Sequence, residues 1–132
     1  MTDLKEELHA KLQVARATML SKLEGLSEYE MRRPMTPTGT NLLGLVKHLA
    51  GVEYVYLGDS LGRPAPERRE TTLGVLLVRM VAETAQHAGH ADIVREMIDG
   101  QAGNDANFPD DADWPLYVAD VQHAADAFLS ER

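Results

Sequence analysis

No cysteine occurs anywhere in the 132 residues. Its absence excludes a disulfide framework, a thiolate-bearing zinc site and a cysteine nucleophile, so any thiol chemistry requires a thiol brought in as a substrate. Positive charge is also in short supply: 13 Lys and Arg stand against 21 Asp and Glu, a formal charge of −8. Such a field repels phosphate backbones and anionic lipid surfaces, so nucleic acid is not an expected partner. No segment approaches the roughly 20 apolar residues of a membrane span, and the opening MTDLKEELHAK is charged from its third residue. The expectation is a soluble, cytoplasmic protein with no membrane association. Strand-like alternation, internal repeats and low-complexity tracts are missing. So are a His-Glu-x-x-His helix, a glycine-rich phosphate loop and a Gly-x-Ser-x-Gly elbow.

What the sequence does have is helical periodicity, in a chain (1–132) of single-domain size that can bury a core without staples. Thr2 or Asp3 caps a first helix in which Leu4, Leu8, Leu12, Ala15, Met19 and Leu23 recur at three- and four-residue spacing, until Gly25 ends it. Ser27-Glu28-Tyr29-Glu30 has the form of a capping box and predicts a short helical turn before Pro34. RRPMTPTGT reads as loop, because Pro34 and Pro37 push their predecessors away from helix. Thr40 or Asn41 starts a second long helix with Leu42, Leu45, Leu49, Val52 and Tyr56 on its apolar face, fading at Gly58 to Gly62. After a polar, proline-bearing connection at 63–69, Thr71 or Thr72 caps a third and longest helix that reaches about Asp99-Gly100. Residues 101–113 are rich in Gly, Asn, Asp and Pro and read as loop. A last helix from about Asp113 tolerates Pro115 in its first turn and directs Val118, Val121, Ala125, Phe128 and Leu129 toward a core. Four amphipathic helices in one domain predict an all-α four-helix bundle.

On the third long helix, Leu76, Met80, Glu83, His87, His90, Val94 and Met97 fall on one stripe about 100° wide. Burying a bare carboxylate costs several kcal/mol unless it is paired or metal-bound, so Glu83 and His87 call for a compensating group. Four residues apart, they stack on one face and can converge on a single ion. If the second and third long helices form an antiparallel hairpin about residues 61–70, His48 and Glu83 are equidistant from the turn and face each other. His87 then lies one turn, about 6 Å, further along the axis. Two histidines and a carboxylate on facing helices make an open three-ligand site. The bland alternative is a buried Glu-His hydrogen-bond network.

His90, one turn beyond His87, reads as a partner behind the ligands and a candidate proton carrier, or else as a pocket-lining residue with no chemical role. Asp92 and Arg95 read as a surface helix pair, and Glu53 as a rim carboxylate or an orienting partner for a histidine. Trp114 and Phe128 are expected to pack, and His9 and His123 to face solvent. A di-iron carboxylate bundle is excluded, because it needs Glu-x-x-His on two helices and only Asp120-x-x-His123 has similar spacing.

The segments PTGTNLLGLVKHLAGVE, from Pro37 to Glu53, and ETAQHAGHADIVRE, from Glu83 to Glu96, resemble the two signature segments of the DinB-like superfamily of metal-binding helical bundles. That superfamily includes YfiT-like proteins, mycothiol-dependent maleylpyruvate isomerase and bacillithiol transferases. The resemblance implies a divalent metal held by His48 on one helix and by the Glu83 and His87 pair on a later one. The Glu-x-x-x-His form is similar to the isomerase branch. It covers roughly residues 23–56 and 71–99, with one departure: superfamily members usually carry another bundle helix between the two segments, and here about ten loop residues join them. Either the helix near Asp113 takes that slot or a second subunit does, and a homodimer is expected.

The function implied is that of a divalent-metal-dependent enzyme resembling low-molecular-weight-thiol S-transferases and isomerases. Zinc suits the ligand set, while nickel, iron and manganese are compatible with it. The ion would bind a low-molecular-weight thiol as cosubstrate and lower its pKa for attack on a small-molecule electrophile, with His90 carrying the proton. The contrasting expectation is a non-catalytic metal-binding, stress-associated bundle that acts as a dimer.

Overall fold

The computed structural model describes residues 3–58, 72–102 and 113–129. The expected connection at 63–69, most of that at 101–113, and the alternative caps Thr2 and Thr71 lie outside these residues. The described chain is helical, in the order α1 (Leu4–Ser21), α2 (Glu28–Arg32), α3 (Leu42–Gly58), α4 (Leu73–Asp99) and α5 (Trp114–Asp126). Helix starts are set by side-chain oxygens that take the free N–H groups of the first turn. Asp3 accepts from Lys5, Asn41 from Gly44 at 2.7 Å, Thr72 from Val75 and Asp113 from Leu116. At α2, Ser27 and Glu30 close the full reciprocal box. Gly100, at φ 78°, caps α4 in the left-handed conformation that a side chain disfavours.

The molecule is built around α4, which packs against both α1 and α3. Leu12 clusters with Leu77 and Met80, whereas Met19 clusters with Ala88, Ala91 and Val94, so α1 runs parallel to α4. Val52 and Tyr56 near the end of α3 join the Met80 cluster, and Leu42 and Leu45 near its start join the Val94 cluster, so α3 runs antiparallel to α4. Because α4 lies between two neighbours, its buried sector is wide and centred on Met80, Thr84, Ala88 and Ala91. It is rotated away from the stripe expected from the sequence. Met97 is accordingly 54% exposed, and Glu83, His87 and His90 sit on the flank of the core rather than in it.

Arg95 and Asp92 do not form the expected surface pair. Arg95 is buried, and its guanidinium donates to the carbonyls of Lys22 at 3.1 Å and Glu24 at 2.7 Å and to the Asp99 carboxylate at 2.7 and 2.8 Å. The last turn of α1 has no basic residue of its own, so α4 supplies the positive charge and the donors that the end of α1 requires. Asp92 pairs instead with the buried Lys22, 2.5 Å away. Glu53 is neither a free rim carboxylate nor a histidine partner, because Arg16 of α1 grips it through two 2.7 Å bonds.

The C-terminal helix forms as expected, but none of its residues is buried. Trp114, Val118, Val121, Phe128 and Leu129 are all exposed, because α1 and α3 already fill the inner face of α4. Among the described residues, no helix is long and apolar enough to cross a membrane.

Candidate metal centre

The antiparallel register of α3 and α4 brings His48 level with Glu83, and the four-residue helical spacing adds His87 on the same side. His48 Nε2 lies 3.0 Å from Glu83 Oε1, and His87 Nε2 lies 3.2 Å from the same oxygen. The two imidazoles meet edge to face, with ring centroids 4.7 Å apart at 80°. One donor atom from each of the three residues lies within 4.8 Å of the others, and no other such trio occurs among the described residues. Donors held about 2.0–2.2 Å from one ion stand roughly 3.0–3.5 Å from each other. The two hydrogen-bonded edges of the triangle already have that length, so the residues fit a divalent ion. Two neutral imidazoles and one carboxylate suit a borderline cation.

Partial exposure alters the reason for expecting an ion. The side chains of His48, Glu83 and His87 are 49%, 35% and 18% exposed. Desolvation therefore does not demand a metal, and the case rests on convergence. The hydrogen bond from His48 holds the Glu83 carboxyl below the ordinary carboxylate range, and His87 adds to it against the opposing effect of partial burial. The carboxylate is thus kept in the anionic form a cation needs.

His90 is exposed, and its Nδ1 lies 3.1 Å from His87 Nδ1. The two nitrogens of His87 therefore have separate tasks, Nε2 toward Glu83 and Nδ1 toward His90. The contact at Nδ1 anchors the orientation of the His87 ring. His9, bonded to Gln13, and the exposed His123 take no part in the site.

His48 also lines an open groove of about 520 Å³ along α3, together with Gly44, Lys47, Gly51, Val55 and Tyr56. Lys47 and this groove went unnoticed in the sequence. Their signal was present in Gly44 and Gly51, seven residues apart on the face that carries His48 and leaves room beside it. A second cavity, of about 160 Å³, lies between α1 and α3 and is lined by Met19, Leu49, Thr84 and the Arg16–Glu53 pair. Thr84 Oγ1 is buried there without a hydrogen-bond partner.

An all-α fold that brings His, Glu and His together from two antiparallel helices, with His48 at the edge of an open groove, is that of a DinB-like protein. Residues 7–72 and 62–100 match the model of the mycothiol-S-transferase family, which spans well over half of the chain, and the protein belongs to that family. The two matched stretches overlap at residues 62–72, between α3 and α4. No curated protein and no solved structure gave a significant match.

Proposed function

We propose that the protein is a divalent-metal-dependent S-transferase that joins a low-molecular-weight thiol, mycothiol or a close chemical relative, to a small electrophile. The observation that carries this reading is the convergence of His48 Nε2, Glu83 Oε1 and His87 Nε2 beside an open groove. Membership of the S-transferase family supports transfer over isomerisation. His48, Glu83 and His87 would hold the ion, with zinc the metal best suited to them. A divalent ion with an open position supplies Lewis acidity that lowers the pKa of a thiol bound to it.

The chain contributes the rest. Glu83, kept anionic, offsets the cation's charge, and the His90 contact steadies the His87 ring. Val55 and Gly51 offer an apolar wall and close backbone approach, and Lys47 is placed to hold an anionic substituent. The thiol gives up its proton, which exposed His90 can accept and pass to solvent. The sulfur forms a bond to the electrophilic carbon, and the leaving group departs with its bonding pair. Consumption of a small alkylating electrophile that requires both added thiol and the loaded metal tests this. His87→Ala should remove it. Metal-loaded protein that turns over no electrophile with mycothiol or other small thiols would favour the non-catalytic metal-binding alternative.

A further inference from the structure

Helices α1 and α3 both pack on α4, and between them they leave a pocket of about 160 Å³. Its walls are Met19 and Leu20 from α1 and Val46, Leu49 and Ala50 from α3, with the buried Thr84 of α4 behind them. Arg16 and Glu53 complete the lining and tie the two helices together through their two 2.7 Å bonds. The pocket lies apart from the candidate metal centre. At 100° per residue Val46, Leu49, Ala50 and Glu53 occupy one side of α3, whereas Lys47, His48, Gly51 and Val55 occupy the opposite side.

Size limits the occupant first. An apolar cavity of about 150 Å³ takes benzene, so this pocket suits a body of about six to eight non-hydrogen atoms. Water gains little there, because the aliphatic walls offer it no hydrogen bond, and its release favours an apolar occupant. Charge limits it next. Arg16 and Glu53 neutralise each other through both carboxylate oxygens, so an ionic ligand would give up its hydration with no counter-charge to meet. The polarity that remains is that of a donor. Two of the guanidinium's five N–H groups go to Glu53, and the others have no partner among the described residues. Thr84 Oγ1 also lacks a partner among the described residues, but it is sealed from the surface, so the ion pair is what a ligand's polar group can reach.

We propose that the α1–α3 pocket is a binding site for a compact neutral molecule with an apolar body and one hydrogen-bond acceptor, a six-membered cyclic ketone being the simplest match. The ring lies among Met19, Leu20, Leu49 and Ala50, and the carbonyl oxygen accepts from Arg16. Glu53 orients the guanidinium and cancels its charge, so the site prefers a carbonyl to a carboxylate. The occupant bridges α1 and α3 and stabilises the fold as any ligand of the native state does. The proposal does not rest on the S-transferase reading, since none of these residues belongs to the candidate metal centre.

Cyclohexanone titrated into the unmodified protein, followed by amide and methyl NMR, tests it. Saturable shifts at Met19, Val46, Leu49 and Ala50 are expected at millimolar ligand, with nuclear Overhauser contacts from the ring to the Met19 methyl. Cyclohexanecarboxylate and cyclohexylammonium should bind at least about 10-fold more weakly. Ala50 is exposed, so Ala50→Phe fills the pocket from a position that tolerates bulk; it should abolish the shifts while helical content and metal stoichiometry are retained. Arg16→Met combined with Glu53→Gln should erase the preference for the ketone over benzene, and His87→Ala should leave ketone binding intact. Absence of saturable shifts at these residues, equal binding of ketone and carboxylate, or shifts that survive Ala50→Phe or vanish in His87→Ala would overturn the proposal. So would a ketone preference that persists without Arg16 and Glu53.

Discussion

At the scale of single residues, the site depends on one carboxylate oxygen approached by two imidazole nitrogens and on a third histidine that anchors the ring of the second. Glu83 Oε1 is the shared point, so ligand order follows from helical geometry rather than from a flexible loop. The His90 contact at His87 Nδ1 makes a specific prediction. His90→Phe should weaken metal binding about 10- to 100-fold without abolishing it, as expected for a partner that orients a ligand. Competition against a chromophoric chelator measures this, and unchanged affinity would show that His90 orients nothing. The convergence of His48, Glu83 and His87 was legible in the sequence because antiparallel pairing and four-residue spacing fix levels by simple geometry. Arg95 was not, because its spacing from Asp92 says nothing of the α1 carbonyls it reaches across the core. The exposure of these converging side chains was likewise hidden, since periodicity marks a stripe but not how many helices cover it.

Individual elements hold together through α4. Met80 is fully buried where α1, α3 and α4 meet, and Met80→Ala should cost about 2–5 kcal/mol in denaturant unfolding. Arg95 ties the end of α1 to α4, and Arg95→Met keeps most of its volume while removing every donor. The expected loss is about 2–3 kcal/mol, since the Lys22 and Glu24 carbonyls lose their partner and Asp99 its cation. The same contact gives a pH dependence. The Arg95 hydrogen bond holds the Asp99 carboxyl below its ordinary value of 3.8 in the folded state, so the unfolded chain takes up its proton first as pH falls. The stabilisation is complete above 3.8 and disappears as pH drops through the lower folded value. Asp99→Asn should therefore flatten the acid limb of the stability curve, and an unchanged limb would show that the contact is not linked to folding. Helix starts were the most legible feature, because Asp3, Ser27, Asn41, Thr72 and Asp113 each combine a side-chain oxygen with the onset of apolar periodicity.

Across the described residues, α1, α3 and α4 form the core and the apolar face of α5 is exposed. The sequence marks that face on α5 without stating what covers it, because amphipathicity records that a surface must be buried and not which surface meets it. The central claim, however, concerns the ion. Protein purified without chelators or immobilised nickel, then analysed by elemental mass spectrometry, should carry or take up about one divalent ion per chain. His87→Ala should carry none while its far-ultraviolet circular dichroism is unchanged. An intact protein that binds no divalent ion, or a His87→Ala variant that keeps one tightly bound ion per chain, would contradict the metal centre drawn from His48, Glu83 and His87.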